Sequence, residues 1–309
     1  MNAMTAFLRK YHVSIAFLVL CMIGGTTWAF QKLGLEGSLP LWSSGMRFFI
    51  AGLLIAGFQV AQKKFKVDST LLKLASLNGL FYFAVPFGSV YWASNQLPSG
   101  LISVLATFIT IFALILNKLL RGVPTTKTQQ VGVSAALVGI LVVFGDRIAF
   151  NQDISDAFAM AVVLTAMLGS AAITVTVQRK IRDLPLLTFV SVSMLSGAFF
   201  LLSLSLFVET GVRSFSGISL YALMYLAIIG STVGFSLNVL ILKNWHISKA
   251  TSHLFISPVI ALYIGYVFLG EKLTANIYVG TALVITGVMF INIKQRSVES
   301  CAARESTSQ

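Results

Sequence analysis

One arginine stands inside an apolar run. The stretch SSGMRFFIAGLLIAGF, residues 43–58, places Arg47 about seven residues into a hydrophobic segment that starts near residue 40. A charged side chain at that depth of a bilayer costs about 2.5–3.5 kcal/mol even on insertion scales, so it needs a partner or a task. A guanidinium presents five N–H donors in a planar fork, which suits bidentate recognition of a carboxylate. Two readings follow. Arg47 either supports the fold as a snorkelling or internally paired cation, or it faces a cavity and holds a substrate carboxylate. Glu36 and Glu271 are the candidate protein partners.

The other polar residues inside apolar runs form helical stripes. Asn78, Tyr82, Pro86, Ser89 and Ala93 recur at three or four residues, as do Ser103, Thr107, Thr110 and Asn117, and Ser231, Phe235 and Asn238. Each set therefore shares one helix face. Such faces serve either helix packing or a polar cavity, and Trp28 and Trp92 nearby would add aromatic lining. Pro86, in mid-span, permits a kink through its missing amide. No apolar segment carries an Asp or Glu near its middle, and His253 is the one side chain in a span that titrates near neutrality. Proton-driven carriers commonly use intramembrane carboxylates, so facilitated diffusion or exchange is expected.

Enzyme chemistry finds no foothold. There is no H-E-x-x-H, no G-x-S-x-G and no pair of intramembrane aspartates, and His12, His246 and His253 lack metal-ligand spacing. Cys21 and Cys301 are too few for a framework or a metal site. No cofactor is implied, and the chain is not expected to be an enzyme.

The elements that position these residues are set by composition. Apolar residues make up 57% of the 309-residue chain, charged residues 10%, and mean hydropathy is +0.88. A soluble domain carries about 25% charged residues, so this chain is read as an all-α, multi-pass membrane protein. Ten apolar stretches are expected as spans, at about 12–30, 40–61, 71–94, 98–117, 129–145, 157–177, 186–208, 218–242, 250–270 and 275–293. Alternating segments of about ten residues, the mark of a β-barrel, are absent.

The net charge of +12 is unevenly placed. Loops on the side of the N-terminus hold seventeen bases against four acids, and loops on the other side hold four bases against six acids. This is the positive-inside pattern with both termini cytoplasmic, and it accounts for the excess without a nucleic-acid partner. The end of the chain, RSVESCAARESTSQ, reads as a polar tail.

The chain also matches itself. Displacing 95–120 by 149 brings Asn95, Ser99, Ser103, Leu105, Ile111, Ile115 and Leu120 onto identical residues. At a displacement of 148, Val131 and Gly132 meet Val279 and Gly280, and Gly139 meets Gly287. Gly122 then takes the place of Glu271, with the register changing at the corner. Two units of five spans each must enter the membrane from opposite sides, so an inverted-topology repeat is expected, with the substrate path between the units.

The segment SPVIALYIGYVFLGEKLT with YVGTALVITGVMF after it, and GGTTWAFQKLGL with MRFFIAGLLI, resemble the signatures of EamA-type drug/metabolite transporters. The resemblance implies ten helices in two EamA repeats, 1–149 and 150–296, followed by a cytoplasmic tail at 297–309. It also implies a cavity lined by spans 1, 3, 4, 6, 8 and 9. On that basis Trp28, Asn78, Tyr82, Asn238 and Ser257 are the expected substrate contacts, with Arg47 as a carboxylate partner. The expected function is alternating-access transport of small metabolites in a bacterial inner membrane, with amino-acid efflux first. Broad drug export, lipid-linked sugar translocation and a non-transporting scaffold or sensor are the alternatives. The expected partners are a small-molecule substrate and the lipid bilayer, with the protein a monomer or homodimer.

Overall fold

A computed structural model of the chain describes residues 3–122, 124–149, 154–177, 180, 184–215, 217–245, 252–271 and 274–293. The proposed tail at 297–309 and His246 lie outside them. Among the described residues the regular structure is entirely helical. It comprises α1 (Ala3–Leu33), α2 (Pro40–Ala61), α3 (Ser69–Ala93), α4 (Ser99–Arg121), α5 (Lys127–Ala149), α6 (Ile154–Val177), α7 (Leu186–Val208), α8 (Ile218–Asn244), α9 (His253–Leu269) and α10 (Ala275–Ile293). Seven of these are long and apolar enough to cross a membrane, and three more, in α5, α9 and α10, are shorter apolar helices.

Local chemistry fixes the ends. Pro40 opens α2, where its missing amide costs nothing. The Asp68 carboxylate accepts the Leu71 amide at 2.6 Å and caps α3. Gly122 (φ 64°) and Gly270 (φ 62°) end α4 and α9 in the left-handed conformation that glycine adopts without strain. These two glycines are 148 apart, so the structural counterpart of Gly122 is Gly270. The sequence match of Gly122 to Glu271 is corrected: the helix stop sets the register, and the acid lies one residue beyond it.

Short connections make successive helices alternate in direction. The odd-numbered helices begin on one face, which carries Lys63, Lys64, Lys66, Lys118 and Arg121 and is here called the basic face. Close approaches at glycine report the pairings. A Cβ on Gly132 would lie 2.5 Å from the Gly287 carbonyl oxygen, and one on Gly139 would lie 2.6 Å from that of Gly280. One index rises as the other falls, so α5 and α10 run antiparallel. Gly45 against Leu202 and Gly52 against Leu195 do the same for α2 and α7.

The packing is nearly unchanged when each helix is exchanged with the one five places away. The pairs α2–α7, α5–α10 and α4–α9 map onto themselves. Likewise α1–α9 maps onto α4–α6, α3–α7 onto α2–α8, and α1–α8 onto α3–α6.

Both α3 and α8 contain a π-helical segment in mid-span, at Gly79–Ala84 and Leu226–Val233. The wider turn displaces carbonyls from their usual donors, and side chains compensate. Ser170 donates to the Phe81 carbonyl at 3.1 Å, and Thr232 to that of Ala227 at 2.9 Å. The kink expected at Pro86 takes this form in α3, where the π segment stops just before the proline. In α8 the same deformation occurs without a proline.

Candidate functional site

Three of the six expected contacts meet in one place. Asn78 and Tyr82 of α3 and Asn238 of α8 line a cavity of about 220 Å³ between α3, α6, α7 and α8. Thr174 of α6 supplies a further hydroxyl, and Phe83, Phe189 and Phe235 supply aromatic wall. The cavity occupies the half of the bundle nearest the basic face, where α3 and α7 begin and α6 and α8 end. None of the described residues that line it is ionisable at neutral pH, so they present amide, hydroxyl and phenol groups against apolar rings.

An aromatic layer closes the inner end. The Phe83 ring lies 5.1 Å from Phe48 and 5.4 Å from Phe235, and Phe48 lies 4.7 Å from Phe87. Edge and tilted pairs of this kind contribute about 0.5–1.5 kcal/mol each beyond simple burial.

Arg47 lies on the far side of that layer, 2% exposed, and is absent from the cavity wall. Its Nε donates to Ser231 Oγ at 2.8 Å, and its Nη1 reaches the Tyr91 hydroxyl at 3.5 Å. The guanidinium carbon stands 5.2 Å from the Phe48 ring centre and 5.3 Å from that of Phe87. A hydrogen bond from a charged donor contributes about 1.5–3 kcal/mol, and a desolvated cation–π contact about 2 kcal/mol. Together these match the insertion cost, so the fold can hold Arg47 without a carboxylate.

The order along the helices is the same twice. On α8, Ser231 holds Arg47, Phe235 belongs to the aromatic layer, and Asn238 lines the cavity. On α3, read in the opposite direction, Tyr91, then Phe87 and Phe83, then Tyr82 and Asn78 occupy the same three levels.

The expected pairing of Arg47 with Glu271 is corrected. Glu271 Oε1 accepts Lys32 Nζ at 2.9 Å and the Ser99 amide at 2.8 Å, and Oε2 accepts Ser99 Oγ at 3.1 Å. The glutamate therefore ties the α9 corner to the end of α1 and the N-terminus of α4. An anion at a helix start is favoured by the exposed amides and the helix dipole. This clamp lies on the face opposite the basic one.

Trp28 and Ser257 do not reach the cavity. Trp28 packs against the core of α3, α4, α5, α6, α9 and α10. Ser257 abuts Gly24, where any Cβ would collide with its hydroxyl, so the Gly24–Gly25 pair exists to let α1 and α9 approach. Its buried Oγ has no partner among the described residues. His253 is the partly buried first residue of α9 and is already engaged in an interaction.

Sequence reasoning missed Glu209. Its carboxylate accepts the Leu41 and Trp42 amides at 2.7 and 3.1 Å and a hydroxyl from Ser205, so it caps α2 from the end of α7. Thr174 and Tyr91 were missed as well. Thr174 shares a face only with Ser170, one turn before it, too short a stripe to stand out. Tyr91 carries no mark that sets it apart from an interfacial tyrosine.

Comparison with known proteins identifies the family of the chain. The chain is 26% identical over 283 residues, 90% of each chain, to YedA of Escherichia coli, described as an uncharacterised inner membrane transporter. It is 26% identical to YoaV of Bacillus subtilis, an uncharacterised transporter, over 91% of this chain and 96% of that one. Protein PagO of Salmonella typhimurium is 21% identical over 98% of this chain and all of its own. A solved crystal structure covers 93% of this chain and 99% of its own at 15% identity, with a TM-score of 0.65, and so shares the fold. The EamA-like transporter family profile matches twice, at residues 13–145 and 157–293, and the chain therefore belongs to the EamA-like transporter family as a multi-pass membrane transporter of the drug/metabolite type.

Proposed function

We propose that the protein is a ten-helix carrier of two inverted five-helix repeats, residues 1–149 and 150–296, working by alternating access in a bacterial inner membrane with both termini cytoplasmic. The exchange symmetry of the helix pairs supports this reading. So does the antiparallel meeting of Gly132 with Gly287 and Gly139 with Gly280, each contact being the repeat mate of the other. The matched π segments of α3 and α8 are the places where the spans can bend, since such segments recur at functional sites.

The substrate is a small neutral or zwitterionic metabolite, with amino-acid efflux first. The observation that carries this is the cavity of about 220 Å³, whose described lining offers amides, hydroxyls and aromatic rings and no ionised side chain. Such a wall discriminates through hydrogen bonds to a few polar groups and through apolar contact. Asn78, Tyr82 and Asn238 make the contacts, and Arg47 holds the aromatic layer in place. The Lys32–Glu271–Ser99 clamp closes the opposite face and must open when the substrate leaves there.

Purified protein screened by thermal shift against amino acids, sugars and nucleosides, with hits followed as flux in proteoliposomes, tests this. Stabilisation and flux for amino acids support it, and failure of every amino acid excludes the leading substrate class. Broad drug export is favoured by one other feature, an apolar groove of about 660 Å³ between α2, α3, α6 and α7. Resistance to several unrelated toxic cations on expression would select that reading.

A further inference from the structure

On the basic face, a groove of about 450 Å³ lies between the end of α2 and the start of α7. Its polar wall is Lys63, Lys64 and Lys66 with Gln59 and Gln62, and its apolar wall includes Phe58 and Leu187. Among the described residues no acid lines it, and the one ion pair they form with each other is Lys32–Glu271, on the opposite face. The nearby Asp68 carboxylate turns to the Leu71 amide as a helix cap.

The backbone gathers these lysines. Lys63 sits at φ 55°, a left-handed conformation uncommon for a non-glycine residue. Its amide bonds to the Val60 carbonyl at 2.8 Å, and the Lys64 amide to that of Gln59 at 2.9 Å. The chain thus turns sharply off the end of α2, and three ammonium groups fall within four residues. Among the described residues Lys64 Nζ reaches a neutral amide oxygen, Gln62 Oε1, at 3.0 Å.

The apolar wall continues into the surface of the bundle. Leu54 and Phe58 are four residues apart on one face of α2, and both are strongly exposed, at 44% and 57%. An apolar strip on a membrane-spanning helix thus runs directly to a pocket of lysines that no acid among the described residues neutralises. An anionic phospholipid has this pattern of chemistry, an acyl chain joined to a phosphate.

We propose that this groove binds an anionic phospholipid, its phosphate held by Lys63, Lys64 and Lys66 and an acyl chain laid along Leu54 and Phe58. Leu186 lines both this groove and the central cavity, so the bound lipid borders the cavity wall.

The full-length protein in detergent is titrated with dioctanoyl phosphatidylglycerol or dioctanoyl phosphatidylcholine, and retained lipid is read by native mass spectrometry. Phosphatidylglycerol is expected to be retained and phosphatidylcholine released. The triple variant Lys63→Asn, Lys64→Gln, Lys66→Gln is expected to bind phosphatidylglycerol on the order of a hundredfold more weakly. Asparagine is chosen at 63 because it tolerates the left-handed backbone. Equal retention of both lipids, or unchanged binding in the triple variant, overturns the proposal. Competition by inorganic phosphate at the lipid's own concentration would make this a free-anion site and overturn the lipid. Should the triple variant fail to fold, the native protein decides. Raised ionic strength must weaken phosphatidylglycerol binding, and salt-independent retention refutes the site.

Discussion

Arg47 donates its Nε–H to Ser231 across the interface of α2 and α8, two helices from opposite halves of the chain, at 2.8 Å. Seven residues further along α8, on the other side of Phe235, Asn238 lines the cavity. One helix face thus serves a buried cation, an aromatic barrier and a polar chamber in turn, and the spacing follows from 3.6 residues per turn.

The two arginine pairings make opposite predictions. In a double-mutant cycle read by thermal unfolding, Arg47→Met and Ser231→Ala should couple by about 0.5–3 kcal/mol, the range for residues in contact. Arg47→Met and Glu271→Gln should add to within about 0.3–0.5 kcal/mol, because they share no partner. Strong coupling to Glu271 would show that the clamp and the arginine form one network.

Asn78→Leu and Asn238→Leu should raise the KM for flux with little loss of stability. Each residue is only partly buried, and neither amide bridges helices in a hydrogen bond that holds the fold. Removing a hydrogen-bonding group that recognises an uncharged partner costs roughly 0.5–1.5 kcal/mol, so KM should rise about 2- to 13-fold. Trp28→Phe and Ser257→Ala, which do not face the cavity, should leave KM unchanged. A KM change at Trp28 that exceeds those at both asparagines would move the site.

The apolar helices were legible in the sequence because membrane spans are written in long apolar runs. The glycines Gly132, Gly139, Gly280 and Gly287 were legible as repeat mates, although their close approach became visible only in three dimensions. The site was half legible. A stripe such as Ser231, Phe235 and Asn238 shows which residues share a face but not what each opposes, and here the three oppose different things. Trp28 and Ser257 were expected at the cavity from resemblance, yet packing of α1 against α9 across Gly24 and Gly25 claims Ser257. Glu271 was ambiguous for a related reason, since its partners Lys32 and Ser99 lie 239 and 172 residues away.

Gly132→Ala and Gly280→Ala provide a test of the repeat. The two glycines are mates at a displacement of 148, and each added Cβ would press on a backbone carbonyl, of Gly287 in one case and Gly139 in the other. Overpacking against backbone costs typically 1–3 kcal/mol. The two variants should therefore lose similar stability in detergent. A large loss in one and none in the other would break the equivalence of the halves.

The clamp on the face opposite the lysines joins the halves through a carboxylate, and it yields a sharp expectation. Glu271 is buried, with its side chain 4% exposed, while the Lys32 side chain is 37% exposed. Most of the clamp's strength therefore comes from the Ser99 amide and hydroxyl rather than from the ion pair, whose solvent-exposed end is screened. Lys32→Met should cost little, on the order of 0–1 kcal/mol. Glu271→Gln leaves the Ser99 amide facing a weaker acceptor and should cost about 1–3 kcal/mol. If release of this clamp opens the opposite face, Glu271→Gln should also make a cysteine introduced at Ser94, now 3% exposed, react faster with a membrane-impermeant maleimide added from that side. Lys32→Met should change that rate much less. Equal labelling in native protein and Glu271→Gln would leave the clamp a structural tie with no part in access.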